Sequence, residues 1–217
     1  MIVVEPARAT HADDGAGSPR PVLVWRGAPP FRCASSAALG GGLADRSWVF
    51  NAEVTFHYAH GDPAAHLAAI AAELELPAGA GTGLMTAAPV LDVVVATDGG
   101  AGCAATVGVS TPTWAAAPDG ERGRWAPGTI NLVCTIPAPL ADAALLNAVM
   151  TATEAKAQAL AEAGIPGTGT ASDAVVVCCP PGGTEPYGGP RSVWGAPLAR
   201  AVHQAVAAGT ARFVARD

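Results

Sequence analysis

The chain has 217 residues, of which 50% are hydrophobic and only 14% are charged, and its formal net charge at pH 7 is −6. This composition predicts one folded domain with a sizeable core and excludes an intrinsically disordered protein. The acidic balance, without a basic patch, disfavours nucleic-acid binding. No apolar run of about 18 residues or more predicts a membrane span, and the first residues lack the apolar stretch of a signal peptide.

The five cysteines match no disulfide framework or metal-binding pattern. Their number is odd and no C-x-x-C pair is present. In a small secreted domain, an even number at regular spacings would be expected. We therefore interpret them as free thiols in a reducing compartment and expect a cytoplasmic protein.

The first residues are expected to lie at the edge of the domain. Residues 10–21 are rich in Gly, Asp, Ser and Pro and predict a flexible loop, so residues 1–29 are interpreted as peripheral and partly flexible. Residues 22–25 and 31–37 predict two strands. The Gly-Ala-Pro-Pro segment between them favours a hairpin.

Three consecutive glycines, Gly40, Gly41 and Gly42, follow the second predicted strand. Glycine permits backbone angles that other residues avoid and lets a ligand approach the main chain closely. The segment therefore predicts either a flexible turn or a turn that faces a ligand. The next predicted strand covers residues 50–56 and carries Asn51 near its start.

A helix is predicted to begin after Asp62, which is a good N-cap, with Pro63 at the first helical position. Leu67, Ile70 and Leu74 recur three and four residues apart and predict one buried face.

Three histidines, His57, His60 and His66, lie around the start of this helix. Their spacing fits no zinc-ligand pattern and no cysteine lies near them in the sequence. Surface histidines around a turn are therefore favoured over a zinc site.

The middle of the chain predicts more strands and one insert. The predicted strands cover residues 82–88, 90–97, 103–110 and 129–136. Residues 113–127, rich in proline and charge, predict a loop between the last two of these strands.

A long helix is predicted from residue 142 to its end before Gly164, with Pro166 two residues further on. One stripe at helical spacing is predicted to be core. It consists of Leu146, Met150, Thr153, Ala157 and Leu160.

The opposite side of this helix is small and apolar, which predicts packing on two sides. It consists of Ala148, Ala152, Ala155 and Ala159. Between the predicted core stripe and the alanine side lies a polar stripe. It predicts an exposed edge of the helix, an internal hydrogen-bond network or the wall of a site. Its residues are Asn147, Thr151, Glu154 and Gln158. Lys156 lies about 170° from the centre of that stripe, so it is predicted to lie outside such a site.

The helix leads into the loop GTGTASD, residues 167–173, and then into a predicted buried strand at residues 174–179. The loop offers three hydroxyls, a carboxylate and backbone N–H groups, and loops at strand ends often carry sites. Its spacing matches no nucleotide-binding fingerprint.

The last elements are a turn at residues 187–190 and a predicted helix at residues 196–208 that carries His203. Many strands followed by a long helix, a strand and a final helix predict an α/β or α+β fold. We expect one layered domain over residues 1–217, with a mixed sheet, a long buried helix and a C-terminal helix.

Several uncommon strings recur along the chain in a fixed order. They are SSAALGGGL (35–43), FNAEV (50–54), GLMTAAPV (83–90), TINLVCTIPAPLADAAL (129–145), NAVMTATEAKAQAL (147–160) and GTGTASDAVVV (167–177). Together they resemble the adenosylcobinamide amidohydrolases of cobalamin salvage. The resemblance begins at about residue 30 and leaves out the insert at 113–127.

The resemblance implies hydrolysis of the amide that joins aminopropanol to the corrin ring of adenosylcobinamide, giving adenosylcobyric acid. It implies a corrinoid as substrate and no further cofactor. Polar and small residues, most of them in the matching strings, are then expected to bind this substrate. They are Gly40, Gly41, Gly42, Asn51, Thr86, Asn131, Asn147, Thr151, Gly167, Thr168, Gly169 and His203.

Amide hydrolysis needs an activated water or nucleophile, stabilisation of the oxyanion and a proton for the leaving amine. We expect Glu154 or Asp173 to be the general base for water, with the N–H groups of residues 167–170 as oxyanion donors. In the alternative, Thr170 or Ser172 is the nucleophile.

The sequence leaves other possibilities open. A divalent metal ion is one, because Glu154, Asp173 and His203 could converge on it. Another class is a binding module that holds a corrinoid without chemistry. A phosphate-handling enzyme is disfavoured, because few Lys or Arg residues lie near the loop. No nucleic-acid or membrane partner is expected, and the oligomeric state stays open.

Overall fold

The computed structural model describes residues 5–12, 18–118 and 128–216. In these ranges eight strands form one mixed sheet and three α-helices pack beside it, which confirms the predicted layered α/β fold. The strands are β1 Ala7–His11, β2 Arg20–Ser35, β3 Gly42–Glu53, β4 Gly81–Thr86, β5 Val94–Asp98, β6 Ala101–Gly108, β7 Thr129–Thr135 and β8 Ala174–Cys179. The helices are α1 Pro63–Glu73, α2 Asp142–Glu162 and α3 Gly195–Val214.

The strands follow the order β4-β3-β2-β8-β7-β6-β5, and β1 pairs with β2. The pairs β3–β4 and β7–β8 are parallel, and the others are antiparallel. The sheet curls on itself: Asn131 of β7 bonds to Asn51 of β3 and Met85 of β4, although β2 and β8 lie between β7 and β3 in the hydrogen-bonded order. The concave side encloses an apolar cluster that includes Leu23, Trp25, Val49, Leu84, Val133 and Val176.

Helices α2 and α3 cover the other side of the sheet, beside β5 to β8. Their shared core joins Leu145 of α2 and Val202 of α3 to Leu132 of β7 and Val177 of β8. No helix in the described ranges has both the length and the apolar character needed to cross a bilayer.

The buried face of α2 is its alanine face. Ala148 and Ala152 are fully buried, whereas Leu146 and Met150 are 52% and 58% exposed. The predicted core stripe is therefore wrong, with only its last member, Leu160, buried. The small side chains are needed because the backbone at Gly188 lies so close to α2 that any side chain there would overlap it.

The N-terminal hairpin prediction is also wrong. β2 is one strand that continues past the proline pair, with an irregular register between Arg26 and Phe31 where it faces β3. Its residues Val22 and Trp25 are buried in the core rather than peripheral. Local signals could not show this, because β1 and β8 both pair with β2 and hold it in the middle of the sheet.

Helices whose ends carry a capping or stop residue in the sequence agree best with the prediction. The side chain of Asp62 accepts the N–H of Ala65 at 2.9 Å and caps α1, as expected. The strand predicted at residues 90–97 is wrong in its first half, where a short 3-10 turn, Val90–Asp92, precedes β5. The predicted insert lies partly outside the described residues, which stop at 118 and resume at 128.

Candidate active site

One carboxylate holds the loop between α2 and β8. Asp173 Oδ1 accepts the N–H of Ile130 at 2.8 Å and the hydroxyl of Thr170 at 2.5 Å. Asp173 Oδ2 accepts the N–H of Thr170 at 3.1 Å and forms an ion pair with Lys156 Nζ. These four donors match the four acceptor positions of an ionised carboxylate, so Asp173 is fixed at the starts of β7 and β8.

Lys156 reaches Asp173 from the buried face of α2. The side chain of Lys156 is 7% exposed and that of Asp173 is 10% exposed. A side chain at Gly169 would overlap Asp173 Oδ2 and Lys156 Nζ, so the loop needs glycine at this position. Lys156 was predicted to lie outside a site formed with the polar stripe of α2. It instead contacts Asp173 from the buried face, whereas Glu154 of that stripe faces solvent.

The hydroxyl of Thr170 has two acceptors for one hydrogen. Its Oγ1 lies 2.6 Å from the carbonyl oxygen of Gly128 and 2.5 Å from Asp173 Oδ1. If this hydroxyl turns fully to Gly128, one lone pair of Asp173 becomes available to another donor. Asp173 can then accept a proton without losing its bonds to Lys156 and Ile130.

A second hydroxyl pair lies next to this carboxylate. Ser172 Oγ is 2.7 Å from Thr129 Oγ1 and 3.0 Å from the carbonyl oxygen of Gly128. When Ser172 donates to Thr129, the hydroxyl hydrogen of Thr129 is left for a ligand. The pair can therefore present one hydrogen-bond donor beside Asp173.

Both groups border a cavity of about 440 Å³ at the open end of the curled sheet. Its walls are mostly apolar and come from β4, α1, the segment after β2 and the loop before β8. Of the predicted site residues, it brings together Thr86, Asn131, Ser172 and Asp173. This combination of apolar walls and a few convergent polar groups is typical of a small-molecule site.

Buried amides continue the polar side of the cavity. Asn131 Nδ2 donates to Asn51 Oδ1 at 2.8 Å and to the carbonyl oxygen of Met85 at 2.9 Å, and Asn51 Nδ2 donates to Thr106 Oγ1 at 2.9 Å. The orientation of the Asn131 amide is fixed, because the reverse would place its Oδ1 against the carbonyl oxygen of Met85 and Oδ1 of Asn51. Asn131 Oδ1 is buried without a hydrogen-bond partner among the described residues. A buried acceptor normally has a donor, which at this position can be a water molecule or a ligand N–H.

Three of the four backbone N–H groups predicted to stabilise an oxyanion are already engaged. The N–H of Gly167 donates to Ile165, that of Thr168 donates to Thr113, and that of Thr170 donates to Asp173. The prediction is therefore wrong for these three groups. For Thr168 the cause is the pairing of this loop with Thr113, which the loop residues alone do not reveal.

Glu154 and His203 lie apart from Asp173. Glu154 is exposed on the solvent side of α2. His203 Nε2 lies 2.8 Å from Glu162, and the hydrogen bond from Gln158, followed by that with His203, lowers the pKa of Glu162. Glu154, His203 and Asp173 do not converge as possible metal ligands, and in the described ranges no three His, Cys, Asp or Glu residues are placed to hold a metal ion.

Asn147 and Thr151 also face away from the cavity. Thr151 Oγ1 donates to the carbonyl oxygen of Gly188 at 2.9 Å, and Asn147 lies against Gly189. Their stripe therefore supports the segment that packs on α2.

Of the three glycines, Gly40 lets the chain cross β4 closely. The carbonyl oxygen of Gly40 accepts from Thr82 at 3.0 Å and from Arg46 at 2.8 Å, and a side chain at Gly40 would overlap the main chain of β4. Gly41 lies just as closely against Ala37. The cavity is lined by Ala37 and by the residue that follows it, rather than by the glycines themselves.

One histidine predicted to be on the surface is buried. His66 is 8% exposed, its Nδ1 lies 3.1 Å from the hydroxyl of Tyr58, and Tyr58 lines the cavity. No sequence signal linked these two residues to the loop before β8. That proximity depends on the curl of the sheet.

The chain resembles known proteins over most of its length. A family model described as CbiZ, adenosylcobinamide amidohydrolase, matches residues 6–216. A relative from Halobacterium salinarum named adenosylcobinamide amidohydrolase is 49% identical over 112 residues, and this match spans only 48% of either chain. A relative of the same name from Methanosarcina mazei is 31% identical over 186 residues, covering 81% of this chain and 88% of the relative.

Proposed function

The chain belongs to the adenosylcobinamide amidohydrolase family, a family of amide hydrolases, and we propose that it hydrolyses the amide between aminopropanol and the corrin ring of adenosylcobinamide. The products are adenosylcobyric acid and free aminopropanol, and the role is cobalamin salvage. The observation that carries this proposal is the cavity whose polar side combines Asp173 with the hydroxyls of Ser172 and Thr129.

Asp173 is the general base in this proposal. A water molecule held between Ser172 and Asp173 attacks the carbonyl carbon, and its proton passes to Asp173 Oδ1. The lone pair for that proton is freed when Thr170 turns to Gly128, whose carbonyl oxygen is 2.6 Å away. Lys156 keeps the carboxylate in place throughout, because its ion pair uses the other oxygen.

Thr129 supplies a donor to the developing oxyanion. Its hydroxyl is free for this role when Ser172 donates to it across their 2.7 Å contact. A donor placed where negative charge develops, in a site with apolar walls, stabilises the transition state more strongly than the same donor in water.

Asn131 is proposed to bind an N–H of the substrate. Its Oδ1 has no partner among the described residues, while its Nδ2 is fixed by Met85 and Asn51. A corrinoid carries several side-chain amides, so a suitable N–H is available. The cavity is small beside a whole corrinoid, so we propose that it takes the aminopropanol arm and leaves the ring at its mouth.

We also propose that the protein works in the cytoplasm. All five cysteines are buried and free, which fits a reducing compartment.

Matched variants of two carboxylates test the base. Asp173→Asn should lower kcat for adenosylcobinamide by about 100-fold or more, since general base catalysis typically contributes that much. Glu154→Gln is the control, because Glu154 is an exposed carboxylate on α2 and lies apart from Asp173. This variant should leave kcat unchanged. Wild-type turnover by Asp173→Asn would remove Asp173 as the base.

The competing function, a corrinoid-binding module without chemistry, uses the same cavity. It predicts tight binding seen in the visible spectrum and adenosylcobinamide recovered unchanged.

A further inference from the structure

The cavity is bordered on another side by a tyrosine that no family string includes. Tyr58 lies between β3 and α1 and lines the cavity together with Pro63 and Leu67. Among the described residues that line the cavity, only Tyr58 and Asp173 have titratable side chains. In a hydrolase site with one carboxylate and one phenol, the carboxylate is suited to accept a proton and the phenol is suited to donate one.

Tyr58 is held by a buried histidine. Its hydroxyl lies 3.1 Å from His66 Nδ1, and the two rings stack with centroids 5.5 Å apart and planes 13° from parallel. His60 stacks on the same imidazole at 5.0 Å, and His11 meets it edge-on at 6.3 Å. These contacts hold the imidazole of His66 in place beside the hydroxyl of Tyr58.

From this geometry we propose that Tyr58 is the proton donor to the leaving amine and that His66 is its positioning residue. His66 with its hydrogen on Nδ1 donates to the oxygen of Tyr58, which directs the O–H of Tyr58 away from the imidazole. The inference rests on the proposed amide hydrolysis and adds the group that completes it. An amine leaves poorly as an anion, so a donor is needed at that atom.

The proton balance closes with Asp173 and Tyr58 alone. Water adds its oxygen to the carbonyl carbon and loses one proton to Asp173. The C–N bond then breaks with its electron pair on nitrogen, and the nitrogen takes the proton of Tyr58. The tyrosinate, stabilised by the N–H of His66, regains a proton from solvent as Asp173 releases its own, so one water is consumed per amide.

The test compares the chain's two tyrosines on two substrates. Tyr58→Phe removes only the hydroxyl, and Tyr187→Phe is the control, because Tyr187 is 73% exposed and lies outside the cavity. The substrates are adenosylcobinamide and an aryl ester of adenosylcobyric acid, whose phenolate leaves without protonation. We expect Tyr58→Phe to lower kcat on the amide by about 100-fold with little change in KM, to lose far less on the ester, and Tyr187→Phe to match wild type.

Equal losses on both substrates would mean that Tyr58 only supports the structure and would overturn the inference. Unchanged kcat on the amide would overturn it too, while leaving the proposed hydrolysis intact. If the wild-type protein releases no amine at all, the proposed function fails and the inference fails with it. His66→Gln should fall between wild type and Tyr58→Phe on the amide, with His57→Gln, a change at an exposed histidine, as control.

Discussion

Lys156 and Asp173 form a buried ion pair that ties helix α2 to the loop before β8. Lys156 is the only lysine in the sequence, where the other eleven of the twelve basic residues are arginine. A buried lysine with a single carboxylate partner is costly to keep unless the pair is well bonded, and Asp173 has three further donors. We infer that the pair keeps the carboxylate in position at the cavity.

Lys156→Met should destabilise the fold by about 3 kcal/mol, because it leaves Asp173 buried without its cation. Urea unfolding followed by circular dichroism measures this change. The double variant Lys156→Met with Asp173→Asn should regain much of the stability, since the amide carries no unpaired charge and its oxygen still accepts a hydrogen bond at this position, but it should stay inactive. A single variant as stable as wild type would show that the pair does not hold the loop.

Ser172→Ala should lower kcat by about tenfold without abolishing turnover, because Ser172 positions the water and does not form a bond to the substrate. The protein quenched during turnover should show no added mass. A corrinoyl adduct on Ser172, together with complete loss of activity in the variant, would make serine the nucleophile instead.

Asn131→Leu should raise KM by about tenfold to 100-fold, since the acceptor proposed for a substrate N–H is lost. Steady-state kinetics with adenosylcobinamide measures KM and kcat separately. Asn147→Leu is the control, because Asn147 lies outside the cavity, and it should match wild type. Equal KM values for the two variants would argue against a substrate contact at Asn131.

The cysteines predict an alkaline limit to stability. Burial raises the pKa of Cys179 to about 11 and raises that of Cys178 well above its usual value. The folded state therefore favours the neutral thiols, and this contribution is fully present below the ordinary thiol pKa and is lost as pH rises through the folded value. Native protein at pH 8 should react slowly with a thiol reagent and all five cysteines should react once it is unfolded; rapid native labelling of Cys178 would contradict this.

Signals that are local in sequence predicted their elements well. The cap at Asp62 and the glycine after α2 both depend on backbone groups within a few residues, so their sequence context contains the physical cause. The sequence predicts two strands in place of β2 because a proline pair is normally a break, and only the neighbouring strands on both sides show that β2 continues.

The lining of the cavity was predicted in part. Asp173, Ser172 and Asn131 line it, and the sequence draws attention to them because polar residues at strand starts stand out against apolar runs. The packing of the alanine side of α2 was predicted correctly, but the contact of Lys156, the single lysine of the chain, with Asp173 was not predicted. Tyr58 and His66 depend on long-range closure of the sheet, which no local pattern contains.

The most direct test of the central claim is the fate of adenosylcobinamide incubated with the purified protein. Corrinoids would be separated by chromatography and identified by mass, and aminopropanol would be measured in the same sample. The account predicts that adenosylcobyric acid and aminopropanol form in equal amounts. It also predicts that Asp173→Asn lowers the rate of their formation by about 100-fold or more. Adenosylcobinamide returned unchanged, under conditions where the protein binds it, would contradict the account.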